Sequence, residues 1–220
     1  MAETGPSPTT TREAVLDAAR KMLASGLVEG TAGNVSGRLP GGLVCLTPSS
    51  VAYDTMSLDD LVVVDLDGTV VEGHRSPTTE RDLHLAVLRR HPELGAVIHT
   101  HAVHATMFAL AHEPIPAVVE EVVVYVGGDV PCCEYRGTGT ADLGAEVADH
   151  LHDRGAALLA NHGLVTCGAT PDRALHIAAL VERTAQIVWG ARAMGATIHP
   201  LPERVNADMA GVYRYLRQNP

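Results

Sequence analysis

The apolar residues of this chain follow helical spacing in some segments and form short continuous runs in others. In residues 11–23 they recur every three or four positions, with Gly26 just beyond the last of them. This spacing predicts an amphipathic helix that ends at a glycine. Ser76 and Pro77 open a second predicted helix, which continues to residue 90, because proline suits a first helical turn. Further helices are predicted at residues 103–111, 143–153 and 171–194.

Short apolar runs bounded by turn residues predict strands at residues 42–47, 61–65, 96–100, 157–160 and 165–167. Asp67 and Gly68 separate two such runs and form a strong hairpin signal. We interpret residues 30–36 as a loop between the first helix and the first strand, and the valine-rich segment 118–126 receives no assignment. Helices mixed with antiparallel hairpins predict an α/β fold with three α/β/α layers rather than a doubly wound sheet.

The length and composition fit one globular domain. A chain of 220 residues can bury a sizeable core, so we expect a single domain over residues 1–220. Residues 1–10 are polar and proline-rich, which predicts a flexible leader. The apolar fraction of 46% and the charged fraction of 19% lie near globular averages and argue against wholesale disorder.

The charge and hydropathy of the chain exclude several classes of partner. A net charge of −10 argues against nucleic acid and against an anionic membrane surface. The chain has neither a signal-peptide pattern nor an apolar run near the roughly 18 residues of a membrane span. Its four cysteines form no C-x-x-C pair and are interpreted as thiols. We therefore expect a cytoplasmic protein.

Three histidines lie at the ends of two apolar runs. His99 and His101 close the strand at residues 96–100, and His162 follows the strand at residues 157–160. Alternation along a strand points His99 and His101 to the same side. Three imidazoles with an open fourth position form a typical catalytic metal site. The alternative is that ordinary polar residues close two strands; the second strand end, Asn161-His162-Gly163, favours metal.

Short hydroxyl and amide side chains cluster in three predicted loops, at residues 30–36, 47–50 and 76–80. Tight turns with free N–H groups can bind an anion, although each loop alone is also an ordinary turn signal. No nucleotide-binding glycine motif is present. Glu80 lies one turn into the predicted second helix. It is either a solvated charge or a carboxylate beside the metal that ligates it or moves a proton.

Five motifs in order resemble the class II aldolase/adducin family, and within it the aldolases of L-fuculose 1-phosphate. The resemblance extends from about residue 13 to about residue 217. Its motifs are Gly30-Thr31-Ala32-Gly33-Asn34-Val35-Ser36, Thr47-Pro48, Pro77-Thr78-Thr79-Glu80, His99-Thr100-His101 and Asn161-His162-Gly163.

The resemblance implies an α/β/α sandwich around a mostly antiparallel sheet and a ring-shaped homotetramer with active sites between subunits. It implies Zn²⁺, or another divalent metal, held by His99, His101 and His162, with Glu80 as the acid/base that also reaches the metal. The expected reaction is reversible cleavage of a ketose 1-phosphate to dihydroxyacetone phosphate and an aldehyde. The residues that correspond to the phosphate pocket are Thr31, Gly33, Asn34, Ser49, Ser50, Thr78 and Thr79.

The chain departs from the family pattern at three places. Two serines before the glutamate become Thr78 and Thr79, which keeps both hydroxyls. A Thr-Gly pair becomes Ser49-Ser50, so a non-glycine residue must adopt that turn. The family tyrosine that protonates the aldehyde oxygen is replaced by Glu120 and Glu121, and Tyr125 is nearby but out of register. A carboxylate at this place acts as an acid only if burial raises its pKa. Tyr213 and Tyr215 resemble a tyrosine of the mobile tail of the family, and Tyr215 is the candidate catalytic residue.

Three functions remain open from the sequence. The first is the zinc-dependent aldolase. The second keeps the fold and metal but is a sugar-phosphate 4-epimerase or a methylthioribulose-1-phosphate dehydratase. The third is a non-catalytic, adducin-like interaction domain, which the joint presence of the three histidines and Glu80 disfavours.

Overall fold

The structure, a computed structural model, describes residues 8–219. One sheet of eight strands carries helices on both faces. The strands are β1 Asn34–Leu39, β2 Leu43–Leu46, β3 Val62–Asp65, β4 Val70–Glu72, β5 Ala96–Thr100, β6 Cys132–Cys133, β7 Ala156–Leu159 and β8 Gly163–Gly168. The helices are α1 Pro8–Ala24, α2 Arg81–Arg90, α3 Val103–Ala111, α4 Glu120–Val126, α5 Ala141–His150, α6 Pro171–Ala193 and α7 Glu203–Gln218.

The sheet is mostly antiparallel. Its strand order is β4-β3-β2-β1-β5-β8-β7-β6, and only the β6–β7 pair is parallel. Alternation along the strands divides the buried residues between two cores. Ile98 belongs to the core that contains residues of α1, α3, α4 and α6, and Val97 belongs to the core that contains residues of α2 and α5. The predicted three-layer α/β/α fold is confirmed.

Two features of the first strand and the first helix differ from the sequence prediction. Residues 30–36 are not entirely a loop, because β1 begins at Asn34 and pairs with both β2 and β5. Gly37 in this strand allows close packing of α1, since a Cβ there would lie 2.8 Å from Val15 Cγ2. Helix α1 begins at Pro8, so residues 8–10 of the predicted leader are helical; residues 1–7 lie outside the described part.

The second helix also begins later than predicted. Helix α2 starts at Arg81, because the segment before it is held extended against the end of β2. The Ser49 N–H donates to the Ser76 carbonyl, and the Thr78 N–H donates to the Thr47 carbonyl. Glu80 is consequently the N-cap of α2 and not a residue one turn inside it.

The remaining elements complete the picture. The Asp67-Gly68 hairpin is confirmed between β3 and β4. The unassigned valine-rich segment contains α4, whose Val122, Val123 and Val126 are buried, and α4 packs against α7. Among residues 8–219, no helix has the length and apolar character needed to cross a membrane.

Candidate active site

The three predicted histidines lie together where strand β5 ends and strand β8 begins. His99 lies within β5, His101 follows its end, and His162 lies in the turn before β8. The His99 Nδ1–H donates to the Leu164 carbonyl at 3.1 Å, which leaves Nε2 to face the other two rings. Asn161 shapes the turn by adopting a left-handed φ of +57°, a conformation that asparagine tolerates.

The separations within this cluster suit a small cation. Nε2 of His99 lies 3.0 Å from Nε2 of His101, and the three ring centroids are 4.6–5.0 Å apart. Ligands about 2.0–2.1 Å from a tetrahedral zinc ion lie about 3.3–3.4 Å from one another. The histidine cluster therefore needs only small adjustments to hold a divalent metal.

Glu80 supplies a carboxylate at the same point. Its Oε2 lies 3.3 Å from His99 Nε2, and its Oε1 lies 3.7 Å from His162 Nε2. Glu80 is buried, and Oε1 has no hydrogen-bond partner within the described residues. A buried carboxylate oxygen without a partner is costly, so its position favours a cation between Glu80 and the histidines.

The electrostatics keep His99 and His101 in the form that binds metal. Burial, reinforced by His162 and His101, lowers the pKa of His99 well below its usual value. Burial and His162 also lower the pKa of His101, against the opposing charge of Glu80. Neutral imidazole is the ligand form, so both residues are prepared for metal at neutral pH.

Gly163 permits the histidines to approach one another. A Cβ at this position would lie 2.4 Å from the Thr100 carbonyl oxygen, 3.2 Å from His101 Cδ2 and 3.3 Å from His99 Cε1. The backbone contact cannot be relieved by a side-chain rotation. A side chain at residue 163 would thus push apart the strand ends that carry the site.

The structure brings together the three predicted loops. The Tyr53 hydroxyl donates to the Gly33 carbonyl at 2.5 Å, which ties the loop before β1 to the segment after β2. The loops at residues 47–49 and 76–78 share backbone hydrogen bonds. Asn34 Nδ2 donates to Glu80 Oε2 at 2.9 Å and joins the first loop to the third. The hydroxyl-rich loops and the histidine cluster therefore border one site.

The seven candidate phosphate-binding residues differ in accessibility. Thr31, Ser50 and Thr79 are exposed, whereas Asn34 and Thr78 are buried. The Thr78 hydroxyl accepts the Glu80 N–H at 3.3 Å. Ser50 has a φ of +59°, so a non-glycine residue does adopt this turn, as predicted from the sequence.

Glu120, Glu121 and Tyr215 lie apart from this cluster in the single chain. The two glutamates are exposed in the first turn of α4 and border a groove toward Leu201 of the segment before α7. Tyr215 is exposed on α7. Within residues 8–219, no hydrogen bond or ion pair connects these three side chains to Glu80 or to the histidines. Tyr213, in contrast, is buried, and its hydroxyl accepts from Arg217 Nη1 at 2.8 Å.

Two polar residues that support the site, Tyr53 and His84, were not predicted from the sequence, and Ser36 was named only as part of the first motif. His84 was hidden among Leu83 and Leu85 in the apolar face of α2. The sequence offers one indication of its role: His84 lies four residues after Glu80, a spacing that places two side chains on the same face of a predicted helix.

Residues 13–189 match the family model described as Class II Aldolase and Adducin N-terminal domain. The chain belongs to this family. Class II aldolases generally depend on a divalent metal, and among the described residues His99, His101 and His162 form a group that could hold one.

Relatives of this class II aldolase family member differ in the reaction that their names give. The L-ribulose-5-phosphate 4-epimerase UlaF of Salmonella paratyphi B is 37% identical over 205 residues, covering 87% of this chain and 90% of the relative. The 5-deoxy-D-ribulose 1-phosphate aldolase of Bacillus thuringiensis is 36% identical over 185 residues, covering 84% and 86%. A solved L-fuculose 1-phosphate aldolase superposes with a TM-score of 0.89 at 32% identity, covering 94% and 98% of the two chains.

Proposed function

We propose that this protein is a zinc-dependent aldolase that reversibly cleaves L-fuculose 1-phosphate or a related ketose 1-phosphate. The observation that carries the proposal is the buried Glu80 carboxylate. Its two oxygens face His99 and His162, and its Oε1 has no hydrogen-bond partner among residues 8–219. This arrangement suits a reaction in which a base works beside a cation. A non-catalytic interaction domain has no use for such a costly buried group.

The metal would be held by His99, His101 and His162, and Glu80 would lie at its fourth coordination position. When bound, a divalent cation in this position supplies Lewis-acid stabilisation of the negative charge that develops on the substrate oxygens. Zinc suits the three-nitrogen donor set, and other divalent metals also bind imidazole.

The residues of this chain account for the proton transfers. Cleavage breaks the C3–C4 bond of the ketose phosphate. The C4 hydroxyl would pass its proton to Glu120 or Glu121 of a neighbouring copy as the aldehyde forms, and C3 gains a proton. Glu80 is the group that we assign to C3, both as acid in cleavage and as base in the reverse reaction. The product from C1–C3 is dihydroxyacetone phosphate.

The three loops would bind the phosphate of the substrate through neutral donors. Their hydroxyls, amide and backbone N–H groups suit a dianion in a chain that is acidic overall. Replacing Thr79 by valine keeps the shape and removes one exposed hydroxyl, so KM for a phosphorylated ketose should rise. The proposed residues are Thr31, Gly33, Asn34, Ser49, Ser50, Thr78 and Thr79.

We propose a homotetramer whose active sites include residues of a neighbouring copy. Val103, Met107 and Leu110 form an exposed apolar stripe on α3, directly after His101. Such a stripe suits a contact with a second copy beside the site. Glu120, Glu121 and Tyr215 would then act at the aldehyde end from the neighbour. Light scattering should give a tetramer mass for the parent and a smaller mass for Met107→Glu.

The second candidate function is 4-epimerisation of a sugar phosphate, which the relationship to the Salmonella epimerase favours. Product analysis by NMR with L-fuculose 1-phosphate, 5-deoxyribulose 1-phosphate and L-ribulose 5-phosphate separates the two reactions. We expect dihydroxyacetone phosphate and an aldehyde from a 1-phosphate. Inversion at C4 of L-ribulose 5-phosphate without cleavage of either 1-phosphate would contradict the aldolase proposal.

A further inference from the structure

Behind Glu80, three buried side chains form a hydrogen-bonded series between β1 and α2. Ser36 Oγ lies 2.7 Å from His84 Nδ1, His84 Nε2 is hydrogen-bonded to Asn34 Oδ1, and Asn34 Nδ2 donates to Glu80 Oε2 at 2.9 Å. Ser36 and His84 are fully buried, and Asn34 is 4% exposed. Water therefore offers little competition for these hydrogen bonds, so their direction matters.

The chemistry of these groups determines which one donates each hydrogen bond in the series. Because the Asn34 amide N–H faces a carboxylate, its oxygen must face His84 and needs a donor there. His84 meets this need only with the proton on Nε2, which leaves Nδ1 to accept from the Ser36 hydroxyl. Burial lowers the pKa of His84 to about 3, with His99 adding to the effect and Glu80 opposing it, so the ring is neutral at neutral pH.

The opposite tautomer would leave two acceptors facing each other in the core. His84 Nε2 would then present a lone pair to Asn34 Oδ1, and turning the amide over would present its oxygen to the Glu80 carboxylate. Each arrangement loses a buried hydrogen bond. The direction from Ser36 through His84 and Asn34 to Glu80 satisfies both ring nitrogens of His84 and the amide oxygen of Asn34. The Ser36 hydroxyl also lies 3.4 Å from the Val97 carbonyl, and its one proton goes to the shorter contact with His84 Nδ1.

We propose that His84 is a positioning residue, which fixes the Asn34 amide and through it the carboxylate of Glu80. Glu80 makes no side-chain cap to its own helix, so its orientation depends on partners outside α2. Asn34 holds Oε2, whereas Oε1 lies on the side of His162 and has no hydrogen-bond partner in the described part of the chain. One end of the carboxylate is anchored and the other is left for chemistry. The catalytic consequence of this inference rests on the proposed proton transfer by Glu80.

A pair of substitutions separates positioning from packing. His84→Gln retains an N–H near the position of Nε2, whereas His84→Asn reaches Ser36 but not Asn34. With the metal-loaded enzyme, we expect His84→Gln to stay within a few-fold of the parental kcat and His84→Asn to lose about 10–100-fold, with metal content and KM nearly unchanged. Parental kcat in His84→Asn, or equal losses in both variants, would overturn the positioning role.

The tautomer can be measured without any substrate. In ¹⁵N-histidine NMR of the zinc-loaded protein at pH 7, the signal that disappears in His84→Gln should be that of a neutral ring protonated on Nε2. A ring protonated on Nδ1 would overturn the proposed direction. If the parent cleaves no ketose 1-phosphate but this tautomer is found, the proposed function fails and the anchoring of Glu80 by His84 and Asn34 stands.

Discussion

Replacing His84 by glutamine should remove a large part of the acid sensitivity of the folded protein. The ordinary histidine pKa is near 6.5, and burial lowers the pKa of His84 to about 3 in the folded state. Between these values the unfolded chain binds a proton at this residue and the folded protein does not. Stability is therefore fully present above pH 6.5 and is lost as the pH falls toward 3.

The magnitude follows from the two pKa values. Relative to pH 7.5, this one residue should cost about 1.4 kcal/mol of unfolding free energy at pH 5.5 and about 2.7 kcal/mol at pH 4.5. The neighbouring Glu80 opposes the effect and His99 reinforces it. Glutamine does not titrate, so the variant lacks this contribution while it retains a polar partner for Asn34.

The assay is urea unfolding at pH 7.5 and pH 5.5, at one protein concentration and with a chelator present so that metal loss does not contribute. The parent should lose about 1.4 kcal/mol more than His84→Gln between the two pH values. His74, an exposed histidine in the loop before α2, provides the matched control, and His74→Gln should behave as the parent does. Parallel losses in the parent and His84→Gln would refute the reasoning.

Three further predictions concern the proposed site. His101→Ala removes a direct ligand, so its metal affinity should fall by more than the roughly 10–100-fold typical of changes to residues that only support ligands. Elemental analysis should then find less than stoichiometric metal; parental metal content would place the site elsewhere. Ser50→Gly should stabilise the protein by up to about 1 kcal/mol in urea unfolding, because the left-handed turn strains serine by more than glycine costs in unfolded-chain entropy; a destabilised variant would contradict this. Glu120→Gln with Glu121→Gln should slow aldol cleavage yet leave proton exchange at C3 of dihydroxyacetone phosphate nearly unchanged; equal loss of both would contradict their place at the aldehyde end.

The sequence predicted those parts of the fold whose local pattern agrees with their tertiary surroundings. Strand β5 is a continuous apolar run, and helix α6 has proline at its start and a long periodic face, so both were found. Strand β1 was partly missed because its alternation is weak: only Val35 and Leu39 are large and apolar, and Gly37 lies between them. Pairing with β2 and β5 makes the segment a strand. The start of α2 was misplaced because the hydrogen bonds that hold residues 76–78 extended are formed with residues 47–49.

The candidate site was predictable where spacing carried the information. Alternation placed His99 and His101 on one side, and the matching strand end added His162. The contact between Asn34 and Glu80 joins residues 46 positions apart, so no local pattern could indicate it. The place of His84 likewise follows from the packing of α2 over β1, which turns a histidine among leucines into the partner of Asn34 and Ser36.

The most direct test of the account is hydrogen exchange at C3 of dihydroxyacetone phosphate in D₂O, followed by ¹H NMR without any aldehyde. The metal-loaded parent should exchange a C3 proton. Glu80→Gln should bind metal and exchange about 10²–10⁴-fold more slowly, because the proposed proton carrier is gone. Parental exchange in metal-loaded Glu80→Gln, or no exchange by the metal-loaded parent, would contradict the central claim.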